Sequence, residues 1–358
     1  MSKARDLADL GNAYSDGALS NRNLIINGGM AIDQRNGGAS ANYTSGHTFY
    51  LDRFSAEAQS LSGLVATVQQ VSDAPSGFNH SMKTTVTTPA SSGLSSSMIG
   101  ADQRIEGYNI SALGFGGSSA ESFTLSFWVK SSETGTYCVS FFNGSMDRNY
   151  LATYTVNSAN TWEYKTITVA GDTSGTWNTT NGIGLGVQFP IGGGPFAEGT
   201  AGAWSSAYRT RVFGAVSLNE IPNNPTWQIT GVQLEVGDTA TPFEHRSYGD
   251  ELQRCQRFYQ SILDVGNVAN SASVGALTTG QLELVVSFRQ EMRSTPTVVF
   301  FDEAGNSGVG SRLSPNVSWN NNSTAIGSRL TSKGFHAYSS SGSSGGTLAL
   351  GYTADAEL

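Results

Sequence analysis

Two tryptophans carry the most suggestive chemistry in this chain. Trp177 lies in Gly175–Thr180 (GTWNTT) and Trp204 in Ala201–Ser206 (AGAWSS), each an indole set among Gly, Ser, Thr, Ala and Asn. Such loops suit sugar recognition, because the C–H face of a pyranose stacks on an aromatic ring while Asn and Ser bond its hydroxyls. The same indoles would equally pack a loop onto the edge of a β-sandwich, since Trp is large, mostly apolar and needs one acceptor for its N–H. Carboxylates offer a second chemistry. Glycoside cleavage needs two of them facing each other across a cleft, and Asp102, Glu106, Asp147, Asp172 and Glu198 are candidates among 28 acidic residues. Their spacing makes no pair converge. Arg53, directly after Asp52, is either a ligand cation or half of an ion pair at a strand end. Glu235, between Leu234 and Val236, would pair with a neighbouring strand or bind a calcium ion. No other cofactor is called for.

The remaining catalytic signatures are missing. Four histidines, His47, His80, His245 and His336, include no i, i+4 pair of the helical zinc type, and no Gly-x-Ser-x-Gly elbow or phosphate loop stands between a strand and a helix. Cys138 and Cys255 are far apart and form neither a disulfide framework nor a zinc set, so both read as plain thiols. The chain is not expected to be an enzyme.

Those residues need a scaffold, and composition says which kind. Gly, Ser, Thr and Asn supply 148 of 358 residues, while charged residues are 13%, against about 25% in ordinary soluble domains. That mixture favours short strands joined by tight turns over long helices. A formal charge of −8 without Lys/Arg clusters argues against nucleic acid as a partner. With 17 Phe, 13 Tyr and 6 Trp the chain can still pack an interior. Its length suggests two domains. No secretory signal and no membrane-length apolar run is visible, so synthesis in a cytoplasm and no membrane insertion are expected.

Periodicity fills in the elements. Phe123, Leu125, Phe127 and Val129 share one face of Ser122–Lys130, and Ile183, Leu185, Val187 and Phe189 alternate with Gly184, Gly186 and Gln188, the period of a half-buried strand. Further strands are expected at Leu64–Val71, Met82–Thr88, Tyr137–Phe142, Trp162–Val169, Val212–Leu218 and Trp227–Val236. In the last, the apolar phase switches across Gly231, which a β-bulge would correct. Gly192–Pro195 (GGGP) reads as irregular. Eight or more such strands imply an all-β jelly-roll sandwich over residues 23–246. Ahead of it, Leu7, Leu10 and Tyr14 form a short amphipathic stripe in residues 1–22, an anchoring helix or a frayed terminus. Behind it, Leu252, Cys255, Phe258 and Tyr259 make a helical stripe over 247–260, a linker helix that would pack on the sandwich or on sister chains. A smaller C-terminal β-rich domain, 261–358, would use Gln281–Phe288, Thr297–Phe301 and Thr347–Tyr352, with Ser339–Gly346 as a polar loop.

Several motifs together resemble a family. Asn23–Met30 (NLIINGGM), Asp33–Arg35 (DQR), Tyr50–Phe54 (YLDRF), Phe123–Lys130 (FTLSFWVK), Gln228–Gly237 (QITGVQLEVG) and Thr241–Tyr259 (TPFEHRSYGDELQRCQRFY) look like stretches of bacteriophage fibre and receptor-binding proteins common in phages of marine bacteria. Met1–Ala8 resembles their attachment peptides and Tyr352–Leu358 their tips. The resemblance spans about residues 23 to 260. It implies a carbohydrate-binding-module-like jelly roll on a homotrimeric virion appendage; the two helical stripes then suggest docking on another virion protein at Leu7, Leu10 and Tyr14 and contacts between sister chains around Leu252, Cys255 and Tyr259. Host-surface glycan would be the ligand and the virion the location. It transfers no binding residue, since the motifs are strand and corner elements. A capsid fibre or decoration protein is the alternative; a capsule depolymerase fits least, because the repeat of a parallel β-helix is absent.

Overall fold

The computed structural model describes residues 21–44, 46–59, 63–90, 98–262, 282–302, 306–308, 310–313, 320–323, 325–339, 347–349 and 351–358. The stripe of Leu7, Leu10 and Tyr14, and residues 340–346 of the polar loop, lie outside them. The chain divides into two units between Tyr248 and Gly249.

The first unit is an antiparallel sandwich. One sheet has six strands in the order β1 (Ala41–Asn42), β4 (Val65–Val71), β5 (Ser81–Thr88), β15 (Thr226–Val236), β7 (Phe123–Ser131) and β10 (Glu163–Val169). The other has seven, in the order β13 (Trp204–Ser205), β9 (Asn149–Val156), β8 (Gly135–Phe142), β11 (Ile183–Gly193), β6 (Met98–Glu106), β3 (Phe54–Gln59) and β2 (Gly46–Leu51). Successive segments switch repeatedly from one sheet to the other. Phe123, Leu125, Phe127 and Val129 of β7 are all buried and meet Tyr137, Phe141, Phe189 and Trp227 in one core. Phe123 contacts Phe141 edge-on at 4.9 Å and Phe127 contacts Phe189 at 5.2 Å. Each ring taken from water contributes about 1.5–3 kcal/mol.

The bulge expected at Gly231 is present. The register of β15 against β7 shifts between Thr230 and Gln233, so Trp227, Ile229, Val232 and Leu234 are all fully buried. Gly231 has φ +61°, and a Cβ there would stand 2.6 Å from the Phe78 ring. Glycine is required by both conformation and space.

Three expectations need correction, and one strand was not expected at all. Gly192 and Gly193 belong to β11, paired with Ile99 and Met98, rather than to an irregular turn. The reason is a neighbour: a Cβ on Gly192 would lie 2.1 Å from Asn219 Oδ1, so glycine makes room for that amide. Val212–Leu218 is no strand. Only β14 (Arg211–Val212) forms, pairing in parallel with β12 (Glu198–Gly199), and a 3-10 turn follows at Leu218–Glu220. β6 escaped the sequence reading because the polar Gln103 takes an inward position between Ala101 and Ile105, using its amide to bond both the N–H and the C=O of Ile26, at 2.9 and 2.8 Å. The linker helix is shorter than expected: α1 is Tyr248–Gln256, and Tyr259 begins β16 (Tyr259–Ile262) instead.

That helix–strand switch is a tertiary effect. β16 pairs with β24 (Gly351–Asp355), which also pairs with β18 (Thr297–Phe301), and these ladder bonds replace helical ones. In the second unit, β17 (Leu282–Ser287) pairs with β22 (Gly334–Ser339), and β22 with β21 (Ala325–Thr331). β19 (Gly310–Leu313), β20 (Asn320–Ser323) and β23 (Thr347–Ala349) make a third small sheet. Leu284, Phe288, Met292, Phe300, Phe335 and Tyr352 form the core of this unit. Cys255 is fully buried and Tyr259 is 7% exposed within their own chain, leaving little side-chain surface for a sister chain; Leu252 is half-buried.

Candidate functional site

The two tryptophan loops converge, but on a packing cluster. Trp177 and Trp204 meet edge-on at 5.5 Å, Phe115 lies 4.7 Å from Trp177, and Tyr150 lies 5.3 Å from Trp204. Trp177 is only 7% exposed and donates its N–H to Ser174 O at 3.1 Å. No face remains on it for a pyranose. Trp204, half-buried on the edge strand β13, donates to Ala170 O at 2.8 Å. Of the two readings of these indoles, the packing of loops onto a sandwich end describes what they do.

Packing Trp177 inward turns its neighbours outward. Thr176 and Asn178 are exposed, and with Gly144, Ser145 and Ile183 they line an open pocket of about 330 Å³, at the small end of the roughly 300–1,000 Å³ that ligand sites occupy. Its walls are the β8–β9 turn, residues 143–148, and the loop from Asp172 into β11. Both walls are tied down. Asn143, fully buried, accepts from the N–H groups of Asp147 and Arg148 at 3.1 Å each. Its amide donates to Asp147 Oδ1 at 2.6 Å and, across the pocket base, to Thr176 O at 3.0 Å. Arg148 grips Asp172 through two bonds of 2.6 and 2.8 Å, and this pairing raises the arginine's pKa. Asn178 Oδ1 accepts from Thr180 N at 2.7 Å, closing the loop on itself. Gly144 allows the two walls to touch, because a Cβ there would be 2.6 Å from Ile183 O.

What the pocket offers is neutral. The hydroxyls of Ser145 and Thr176 and the amide nitrogen of Asn178 have no protein partner among the described residues. Ile183 supplies an apolar patch. Preorganised donors and acceptors beside a small apolar surface match a polyhydroxylated ring, and their fixed geometry lowers the ordering cost of binding.

A second polar assembly crosses the outer face of the seven-stranded sheet. Ser55, Asp102, Gln188 and Ser140 form one row, each opposite the next on β3, β6, β11 and β8. His47 Nε2 lies 2.7 Å from Ser55 Oγ and 3.1 Å from Asp102 Oδ2, and Ser55 also bonds Asp102. This is not a nucleophilic relay: serine and carboxylate share one imidazole nitrogen, whereas a relay needs them on opposite nitrogens. Arg104 Nε adds 3.3 Å to Asp102 Oδ2. Burial would raise the Asp102 pKa, but His47 and Arg104 outweigh it and hold the carboxyl below its ordinary value. Glu57 goes the other way, raised by burial and then by the charge of Asp102, while Gln188 donates to it at 3.0 Å. The segment from Gly194 to Ala215 covers the β8–β9 side of this face, where Ser140 Oγ donates to Arg209 O and Cys138 is buried. Burial pushes the Cys138 thiol up to about 12. Both cysteines are buried, and neither is in a disulfide.

The other candidates are occupied by their own chain. Asp147 bonds Asn143, Asp172 pairs with Arg148, and Glu198 lies 3.3 Å from Arg211. Asp102 and Glu106 sit on one strand, β6. Arg53 is buried and donates to Arg104 O, a structural role. Glu235, also buried, accepts from Thr241 and Gln233 and pairs with Arg22 at 3.3 Å. Among the described residues no group of three or more His, Cys, Asp and Glu could hold a metal ion, and no helix is long and apolar enough to cross a membrane. Pocket residues Ser145 and Thr176 were missed by sequence reading, although the loop itself was marked by Trp177; an exposed Thr or Ser carries no signal against so many others.

Neither a family model nor a curated protein matches the chain. Among solved structures, the enzymatically active domain of bacteriophage CBA120 tailspike protein 4 aligns over 60% of this chain and 21% of its own length, with 14% identity and a TM-score of 0.31. A protein from Bacteroides thetaiotaomicron named a putative sugar-binding protein aligns over 60% of this chain and 99% of its own length, with 12% identity and a TM-score of 0.31. A family 11 carbohydrate-binding module from Clostridium thermocellum, in complex with a β-1,3-1,4-mixed-linked tetrasaccharide, aligns over 56% and 100%, with 11% identity and a TM-score of 0.28. At these values the likeness assigns no function to the chain.

Proposed function

We propose that this chain is a non-enzymatic adhesion subunit of a phage virion, a tail fibre or receptor-binding protein that attaches to neutral host-surface glycan as a homotrimer. The observation that carries the ligand is the pocket between residues 143–148 and 172–183: uncharged, lined by free hydroxyl and amide groups, and held rigid by the buried Asn143 and by the Arg148–Asp172 pair. The virion setting rests on the sequence motifs of residues 23–260. Trimerisation serves such a pocket physically, since a shallow sugar site binds weakly and linking copies multiplies avidity by orders of magnitude.

The direct test is glycan binding by the full chain and by the double variant Ser145→Ala, Thr176→Val. Neither hydroxyl has a structural partner, so folding should be unchanged. Two lost hydrogen bonds of about 0.5–1.5 kcal/mol each predict a loss of roughly 5- to 150-fold in affinity. Equal binding by a folded double variant would remove the pocket from consideration. The mass in solution checks the oligomer separately: three chains of 37.7 kDa are expected, and a monomer would count against the adhesin reading. Binding to no glycan, with labelling on the head of the particle, would instead favour the decoration protein.

A further inference from the structure

We infer that the ligand is a neutral oligosaccharide rather than a single sugar, and that Tyr108 provides the platform for its second ring, an inference that rests on reading the pocket as a sugar site. The turn at Gly107–Asn109 presses directly on the pocket loop. Gly107 N donates to Gly182 O and Tyr108 N to Thr180 O, each at 2.9 Å. A Cβ on Gly107 would sit 2.4 Å from Asn178 O and 2.6 Å from Thr180 O, so only glycine permits this approach. Tyr108 is thereby held beside the limb of the loop that lines the pocket, one peptide contact away.

The side chain itself is left to solvent. Tyr108 is 57% exposed, while Glu106, Gly107 and Ile110 around it are buried. Among the described residues its ring has no aromatic neighbour and its hydroxyl no hydrogen-bond partner. An amphipathic ring fixed at its backbone but free at its face can accept the C–H face of a sugar and bond a hydroxyl at its tip. Charge selects among sugars. Arg148, the cation nearest in sequence to the pocket turn, is committed to Asp172, and Asp147 stands exposed on the same turn as Ser145. An acidic sugar would approach the exposed Asp147 carboxylate beside the uncharged lining, while the neighbouring Arg148 charge is already paired.

Calorimetric titration of the full chain with neutral gluco-, galacto- and manno-oligosaccharides of one to six rings tests this, with oligogalacturonate as the acidic counterpart. For the wild type, affinity should rise about tenfold from one ring to two or three. Tyr108→Ala should abolish that gain and leave the single-ring affinity unchanged, while Tyr108→Phe should retain most of it. An undiminished length gain in Tyr108→Ala, an equal loss at every length, or oligogalacturonate binding as tightly as the neutral series would each overturn the inference. In those cases Ser145→Ala, Thr176→Val still reports on the pocket alone. Wild-type silence toward every probe would overturn both readings.

Discussion

Replacing Asn143 with alanine is expected to cost about 3 kcal/mol of stability and to abolish glycan binding together. The side chain is fully buried and bridges two walls, so its removal orphans the N–H groups of Asp147 and Arg148 and the carbonyl of Thr176. Each buried group left unmade costs about 1–3 kcal/mol, partly recovered where water enters. Urea unfolding followed by tryptophan fluorescence would measure it, five of the six indoles being in the first unit. Asn143→Asp separates charge from shape. It keeps the acceptors but places a carboxylate against Thr176 O and Asp147, so it should be worse at neutral pH and recover as acid protonates it. An unfolding midpoint for Asn143→Ala equal to the parent's would show that Asn143 does not hold the pocket together.

The contrast with the double hydroxyl variant is informative because both act on the same site by different routes. Ser145 and Thr176 spend their hydroxyls on nothing in the protein; Asn143 spends all of its amide on it. Loss of binding without loss of stability in the first, and of both in the second, is the pattern of a preorganised site.

How much of this was readable beforehand depends on whether a residue's role is local. The alternation in β7 and β11 and the phase switch at Gly231 are period-two signals, and they marked the strands and the bulge. Trp177 marked the loop that lines the pocket, yet its own direction was invisible, because whether an indole turns in or out depends on Phe115 and Trp204, distant in sequence. Gly192 illustrates the same limit: three glycines in a row signal a turn until Asn219 arrives to fill the space. The end of α1 is a third case, where the stripe Leu252, Cys255, Tyr259 continues the helical period but ladder bonds from β24 take Tyr259 into a strand. In the sequence Asp102 is one carboxylate among several and Glu57 carries no signal of its own, since strand register alone makes them neighbours on adjacent strands.

That pair gives the second large effect. Asp102→Asn should destabilise the protein by about 3 kcal/mol at neutral pH, because Arg104 loses its anion and His47 and Ser55 lose a carboxylate hydrogen-bond partner in a largely buried setting, and breaking a buried ion pair costs about 3–5 kcal/mol before the amide's own hydrogen bonds are credited. The pH dependence has a definite sign. The Asp102 carboxyl is held below its ordinary value of 3.8 in the fold; its stabilisation is present above the unfolded value and is lost as pH falls through the folded one. The difference between wild type and Asp102→Asn should therefore shrink as pH is lowered below about 4. Glu57 behaves oppositely. Its folded value lies above 4.5, raised by burial and then by Asp102, so ionising it costs stability as pH rises through that window. Glu57→Gln should be neutral or stabilising at pH 7. In an Asp102→Asn background part of the penalty on Glu57 disappears, so the gain from Glu57→Gln should be smaller there, a coupling that a double-mutant cycle reads directly. Independent, additive effects would mean that the two carboxylates do not sense each other, and the polar row would then be a set of separate hydrogen bonds rather than one charge-balanced unit.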